Sequence, residues 1–244
     1  MKLLINALLA AFLSLVPLAA TATSDELDEA RVRELVYEAI RDRPEIIVEA
    51  LELLQQRDQA QQAAAAQSLL SDQRFLLERD PNAPVLGNPD GDVTVVEFFD
   101  YNCPFCKRAM PEVQGLLADD GNVRLVYREW PILGEGSDFA ARAALASRNQ
   151  GQYEEFHTAL MGLKGRVEEA SVLRMAKKIG LDVDQLRTDM GSPEVEAHIA
   201  TSMQLAQTLG FSGTPSFVIG DARVPGFVEQ ARLQSFVDES REAQ

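Results

Sequence analysis

The chain is poor in cysteine and histidine, with two of each among 244 residues. A zinc site needs four ligands, and neither His157 nor His198 stands at metal spacing from the cysteines. Positive charge is also scarce: 23 Lys and Arg face 38 Asp and Glu, a formal net charge of −15. That balance argues against nucleic acid or an anionic membrane surface as a partner. Long apolar stretches are limited to one run from Leu3 to Ala20, broken only by Asn6, Ser14 and Pro17.

What is present begins with that run. Met1-Lys2 precedes it and Ala20-Thr21-Ala22 follows, the pattern of a secretory signal peptide cleaved after about Ala22. The run is too short and too interrupted by Pro17 for a retained anchor. Removing residues 1–22 removes one charge, Lys2, so −15 becomes −16. We expect an exported protein, periplasmic in a bacterium, without a membrane span after cleavage and in a space where disulfides persist.

Residues 23–79 read as a helical arm and linker. The stretch from Ser24 to Leu77 has no glycine and one proline. Ser24 is the expected N-cap, with Asp25 and Glu26 in the first turn. Leu27, Val32, Leu35, Val36, Ala39 and Ile40 recur at helical spacing, and Arg43-Pro44 interrupts. A second helix with Ile47, Ala50, Leu51 and Leu54 runs into a Gln/Ala tract, a helical spacer with little to bury. Such an arm cannot form a core alone, and its apolar stripe predicts self-association.

Residues 80–92 are rich in turn dipeptides, with a short edge strand at Pro84–Leu86. From Val93 the chain alternates in the α/β manner. Strands are expected at Val93–Asp100, Val123–Glu129, Ser216–Ile219 and Ala222–Val224. Helices are expected at Lys107–Leu117, in a helical insertion over about 135–210, and at Val228–Glu242. Met161, Met175, Met190 and Met203 read as core filler, Trp130-Pro131 as packing, and the two histidines as ordinary helix residues.

Cys103 and Cys106 stand in Asp-Tyr-Asn-Cys-Pro-Phe-Cys-Lys at a strand-to-helix junction. A structural disulfide closing four residues would contribute only ~2 kcal/mol, against ~3 for fifteen. Cu(I) held by two thiolates is a reasonable alternative. The favoured reading is a redox-active dithiol. Cys103, just before the helix, would be an exposed nucleophile favoured as thiolate by the helix N-terminus, and Cys106 the buried resolving thiol. Pro104 suits the first helical position. Phe105 supplies no charge, so the oxidant should be mild. Lys107 and Arg108 would add positive potential or merely solubility. The second signal is Gly213-Thr214-Pro215-Ser216 before a strand, which suggests a cis peptide facing the dithiol and pairing with an extended substrate.

Together the segment Val95–Cys106, the helical insertion after Glu129 and Gly-Thr-Pro-Ser-Phe at 213–217 resemble the DsbA-like thioredoxin-fold oxidoreductases. Adding Arg-Pro-Glu-Ile-Ile-Val-Glu-Ala-Leu at 43–51 makes the chain similar to the oligomeric ScsC-type suppressor-of-copper-sensitivity proteins. The resemblance implies an α/β thioredoxin fold with an inserted helical domain over 80–244, behind an N-terminal helical oligomerisation arm. It also implies Cys103 as nucleophile, Cys106 as resolving thiol, and Thr214 and Pro215 as the cis-proline substrate-binding pair. Glu97 would be the buried acid that moves a proton to or from Cys106. The Thr before Pro215 resembles the isomerases more than the oxidases, whereas Phe105 replaces the histidine of the DsbA pattern. The implied activity is disulfide isomerisation or reduction of protein substrates, with no dissociable cofactor. A membrane thiol reductase would be the partner and a homo-oligomer, trimeric by preference, the working form. A monomeric disulfide oxidase is the alternative.

Overall fold

The computed structural model describes residues 28–243. The signal peptide expected over 1–22 and the N-cap expected at Ser24 lie outside the described residues. The chain divides into two compact units, 1–59 and 60–244.

In the first unit, α1 (Glu29–Asp42) starts at Asp28, whose carboxylate accepts the Arg31 N–H. It stops at Arg43, ahead of Pro44, where proline denies the preceding residue a helical conformation. α2 (Glu45–Glu78) follows as one helix of 34 residues. None of α1 is buried, and Val32, Val36, Ile47, Val48, Leu51 and Leu54 are all exposed. Apolar helical spacing without a core is what the sequence led us to expect of this unit.

The arm ends earlier than the boundary at 79/80 placed from turn residues. Leu70 and Leu77, late in α2, are buried in one cluster with Ala83, Val96, Phe98 and Leu209. Those leucines make the end of the helix part of the second unit's core.

That unit is built on five strands, β1 (Val85–Gly87), β2 (Val93–Phe99), β3 (Val123–Glu129), β4 (Ser216–Ile219) and β5 (Ala222–Pro225), in the order β1-β3-β2-β4-β5. β2 and β3 are parallel, and the other pairs antiparallel. Every residue of β2 and β3 is buried, because helices cover both faces. Alternation sorts the side chains. Val93, Val95 and Phe99 join a core with α3 (Pro104–Asp119) and α9 (Gln230–Glu242). Val96 and Phe98 face Leu70, Leu205 and Phe211 on the other side. Each fully buried Val or Phe in these strands contributes about 1.5–3 kcal/mol.

Between β3 and β4 lie α4 (Glu135–Ala146), a 3-10 turn (Ser147–Gln150), α5 (Tyr153–Met161), α6 (Glu169–Lys178), α7 (Val183–Asp189) and α8 (Pro193–Thr208). This is the expected insertion, and α4 opens at Glu135 directly after Gly134, whose φ of 109° provides the turn. Gly136 must be glycine: a Cβ there would lie 2.2 Å from the Val167 carbonyl oxygen. The helix after the cysteines starts at Pro104 rather than Lys107. Met203 is half exposed and therefore not core filler, unlike buried Met161. Trp130 packs edge-on to Phe98 as expected. Among the described residues no helix is long and apolar enough to cross a membrane.

Candidate active site

β2 delivers Glu97 and then the cysteines to one place. Glu97 is in phase with Val95 and Phe99, so its carboxyl lies on the same side of the sheet as Cys103 and Cys106. It stands between Tyr127 of β3 and Phe217 of β4 and is 2% exposed. It therefore does not lie on a solvated strand face. Burial, and then the negative charge of Cys103, push its carboxyl up to about 8.

Past β2 the chain turns through Asp100–Asn102 and Cys103 caps α3. The Cys103 N–H donates to the Asp100 carbonyl at 3.0 Å. Its sulfur accepts the Cys106 N–H at 3.4 Å, and Pro104 fills the first helical turn. When protonated, the thiol donates to the Thr214 carbonyl at 3.1 Å. That cover leaves Cys103 only 4% exposed, against the expectation of an exposed sulfur.

Two free thiols share the helix N-terminus, and their acidities diverge. The Cys106 thiol, opposed by burial and aided by the Thr214 side chain and the N–H groups of Cys106 and Phe105, lowers Cys103 to about 6. Burial pushes Cys106 far above an ordinary thiol, and its hydrogen bond to Cys103 and the charge of Glu97 push the same way. One sulfur is thus a thiolate at neutral pH and the other a protonated reserve, the division that thiol–disulfide exchange requires.

The Thr214–Pro215 peptide is cis. It brings the Thr214 carbonyl to the sulfur, and β4 begins directly after it. Nearby, Phe105 is half exposed, and the Arg108 guanidinium lies over both Phe105 and Phe227 at 5.6 and 4.4 Å from the ring centroids. Lys107 is tied to the insertion, its ammonium donating to the Leu163 carbonyl at 2.6 Å. Neither histidine faces solvent: His157 and His198 are buried on α5 and α8. Among the described residues no group of three or more His, Cys, Asp or Glu could hold a metal ion.

Sequence reasoning passed over Asp100 and Asn102. Both are Asx residues directly after a strand, a composition that marks a side-chain-bonded turn. The Asp100 carboxylate indeed accepts the Asn102 N–H at 2.7 Å.

A family model described as the DSBA-like thioredoxin domain matches residues 94–238. The chain belongs to this family. A second model, the N-terminal domain of the copper resistance protein ScsC, matches residues 28–61. Among solved structures, this DsbA-like chain is 71% identical to a thioredoxin-like oxidoreductase from Silicibacter pomeroyi, covering 70% of this chain and 99% of that one at a TM-score of 0.69. It is 32% identical to the thiol-disulfide exchange protein alpha-DsbA2 of Wolbachia pipientis, covering 73% and 97% at 0.68. It is 28% identical to Proteus mirabilis ScsC in a transitional conformation, covering 88% and 98% at 0.65. The curated relatives it matches first are sodium/proton antiporters, and the chain spans 22 to 25% of their length. The DsbA-like thioredoxin fold with its helical insertion is thus the fold expected from the motifs.

Proposed function

We propose that this chain is an exported disulfide isomerase and reductase for protein substrates, with Cys103 as nucleophile and Cys106 as resolving thiol. The observation that carries the reading is the split acidity of two sulfurs on one helix N-terminus: Cys103 near 6, Cys106 raised by burial. The Cys103 thiolate attacks a substrate disulfide. A new bond forms to one substrate sulfur, and the other leaves as a thiolate and takes a proton from water. Another substrate thiol can then displace Cys103, which rearranges the disulfides with no net electron transfer. Otherwise Cys106 attacks, its proton passing to ionised Glu97, and the reduced substrate departs while Cys103 and Cys106 are oxidised together. Glu97, near 8, is balanced for both halves of that proton exchange. The cis Thr214–Pro215 segment is the edge against which an extended substrate lies.

The reading extends to the arm. Residues 23–59 would hold several catalytic units in one homo-oligomer, trimeric by preference, through the exposed stripe of Ile47, Leu51 and Leu54. The presence of several dithiols would let one unit retain a misfolded chain while another reshuffles it. A membrane thiol reductase would keep Cys103 reduced. Placement in the periplasm, after cleavage near Ala22, completes the proposal.

The test compares the chain from residue 23 with a form starting at Ala60, where the second compact unit begins. Molar mass by light scattering and reactivation of scrambled ribonuclease are measured on both. Loss of both in the shorter form is expected. Unchanged mass would remove the oligomer. A strongly oxidising potential without reactivation would favour the monomeric oxidase. Tight stoichiometric Cu(I) binding with negligible insulin reduction would replace the enzyme by a copper-binding protein.

A further inference from the structure

Asp100, three residues before Cys103, is 1% exposed, and its carboxylate takes four hydrogen bonds. Oδ1 accepts the Asn102 N–H at 2.7 Å and the Ser137 hydroxyl at 2.7 Å. Oδ2 accepts the N–H groups of Ile132 and Leu133 at 2.8 and 2.9 Å. The donors come from three places: the turn before Cys103, the loop after β3 and the first turn of α4. A buried carboxylate is tolerated only when so fully satisfied. An amide of the same shape would not serve, because its NH2 end would face other donors.

Asn102 repeats the arrangement. Its Oδ1 accepts the Val167 N–H at 2.7 Å, and its Nδ2 donates to the Val167 carbonyl and to Ser137 Oγ, both at 3.0 Å. The turn that carries Cys103 is therefore locked to the loop that carries Ile132 and Leu133.

That loop turns its backbone donors and its side chains to different surroundings. Its N–H groups point inward to Asp100, while Ile132 and Leu133 are 39% and 40% exposed. Large aliphatic side chains on a backbone fixed to the residue three positions before Cys103 make a preorganised apolar platform. Cysteine is among the residue types most often buried in folded proteins. A client that still carries a wrong disulfide consequently presents it amid apolar residues. We propose that Asp100 is a positioning residue that holds the Ile132–Leu133 platform in register with Cys103, so that apolar residues flanking a client's cysteine dock as its disulfide reaches the sulfur. This rests on the attack by Cys103 proposed above.

The experiment uses the full chain and three probes: a peptide disulfide with apolar flanking residues, the same peptide with Gly and Ser flanks, and glutathione disulfide. In Asp100→Asn, KM for the apolar peptide should rise about tenfold while kcat falls by less than about twofold, the signature of lost binding rather than lost chemistry. The preference for apolar over Gly/Ser flanks should vanish, and glutathione disulfide should be slowed several-fold less than the apolar peptide. Adding Asp100→Asn to the pair Ile132→Ser and Leu133→Ser should cause no further loss. Equal slowing of all three probes, or an intact flank preference, would overturn the proposal. If Asp100→Asn does not fold, Ser137→Ala removes one of the four donors and must show the same split at smaller size. A wild-type chain inert to all three probes would instead remove the parent reading.

Discussion

The His157 imidazole lies nearly flat on the Tyr127 ring, centroids 4.4 Å apart, and its Nδ1 shares a hydrogen bond with the Tyr101 hydroxyl at 3.0 Å. Tyr101 is two residues from Cys103, so a helix of the insertion is pinned to the active-site turn through a buried ring. Burial holds His157 down to about 4, against the opposing charge of Glu129. A histidine that charges near 6.5 when unfolded and near 4 when folded lends stability that is complete above 6.5 and disappears as pH falls to 4.

His157→Phe should therefore cost about 1 kcal/mol at pH 7.5, because the Tyr101 hydroxyl loses its hydrogen bond to the ring. The deficit relative to wild type should shrink at pH 4.5, where the wild type bears the cost of keeping the ring neutral. Urea unfolding at the two pH values checks both the loss and its pH dependence.

Alkylation should distinguish the two sulfurs. In Cys106→Ala, reaction of Cys103 with iodoacetamide should follow a single titration; hydrogen bonding lowers the wild-type thiol to about 6, and loss of the Cys106 thiol's hydrogen bond should move the midpoint upward. In Cys103→Ser, Cys106 should stay unreactive at pH 8. Cys103 also links pH to the stability of the reduced protein. Its folded value is depressed below the ordinary 9.0, so its contribution is complete above pH 9 and is lost as pH falls through 6. Within that window the reduced wild type should gain about 1.4 kcal/mol per pH unit over Cys103→Ala.

Glu97 carries the opposite sign. The folded chain keeps its proton up to about 8, the unfolded chain only to about 4.5, so stability declines as pH rises between those values. Glu97→Gln should remove that decline and be more stable relative to wild type at pH 8 than at pH 4.5. It should also slow the attack of Cys106 on a mixed disulfide by about a hundredfold, as removal of a positioned proton acceptor does. Quenched-flow trapping of the mixed disulfide reads that step, and unchanged decay would leave Glu97 without a catalytic part.

Arg128 tests the core rather than the chemistry. It is fully buried, its Nη1 donates to the Asp80 carboxylate at 2.7 Å, and its Nε and Nη2 have no hydrogen-bond partner among the described residues. Asp80→Ala should cost about 3–5 kcal/mol by leaving that charge unpaired. Asp80→Ala combined with Arg128→Met should recover most of the loss in chemical denaturation. A double variant as unstable as the single one would show that the pair matters for packing instead of charge.

Periodicity served the reading well wherever an element is decided by its own residues. β2 and β4 are dominated by β-branched and aromatic residues, and Arg43-Pro44 breaks the arm where expected. The boundary between arm and body was not legible, because a Gln/Ala helix looks the same with or without a core beneath its end. Leu70 and Leu77 became core residues only when Val96 and Phe98 came to lie against them. Likewise Asp100 is one acidic residue in a turn until Ile132, Leu133 and Ser137, more than thirty positions away, converge on its carboxylate.

By itself the sequence determined the chemistry on offer: two sulfurs at helical spacing, a proline poised before a strand, an acid within a buried strand. Spacing and side-chain type are local quantities, so a linear reading reaches them. Tertiary structure alone decided how far each sulfur is covered, which way the acid faces, and what Asp100 and the histidines hold together. Burial and long-range hydrogen bonds set those outcomes, and both depend on residues that meet only in the folded chain.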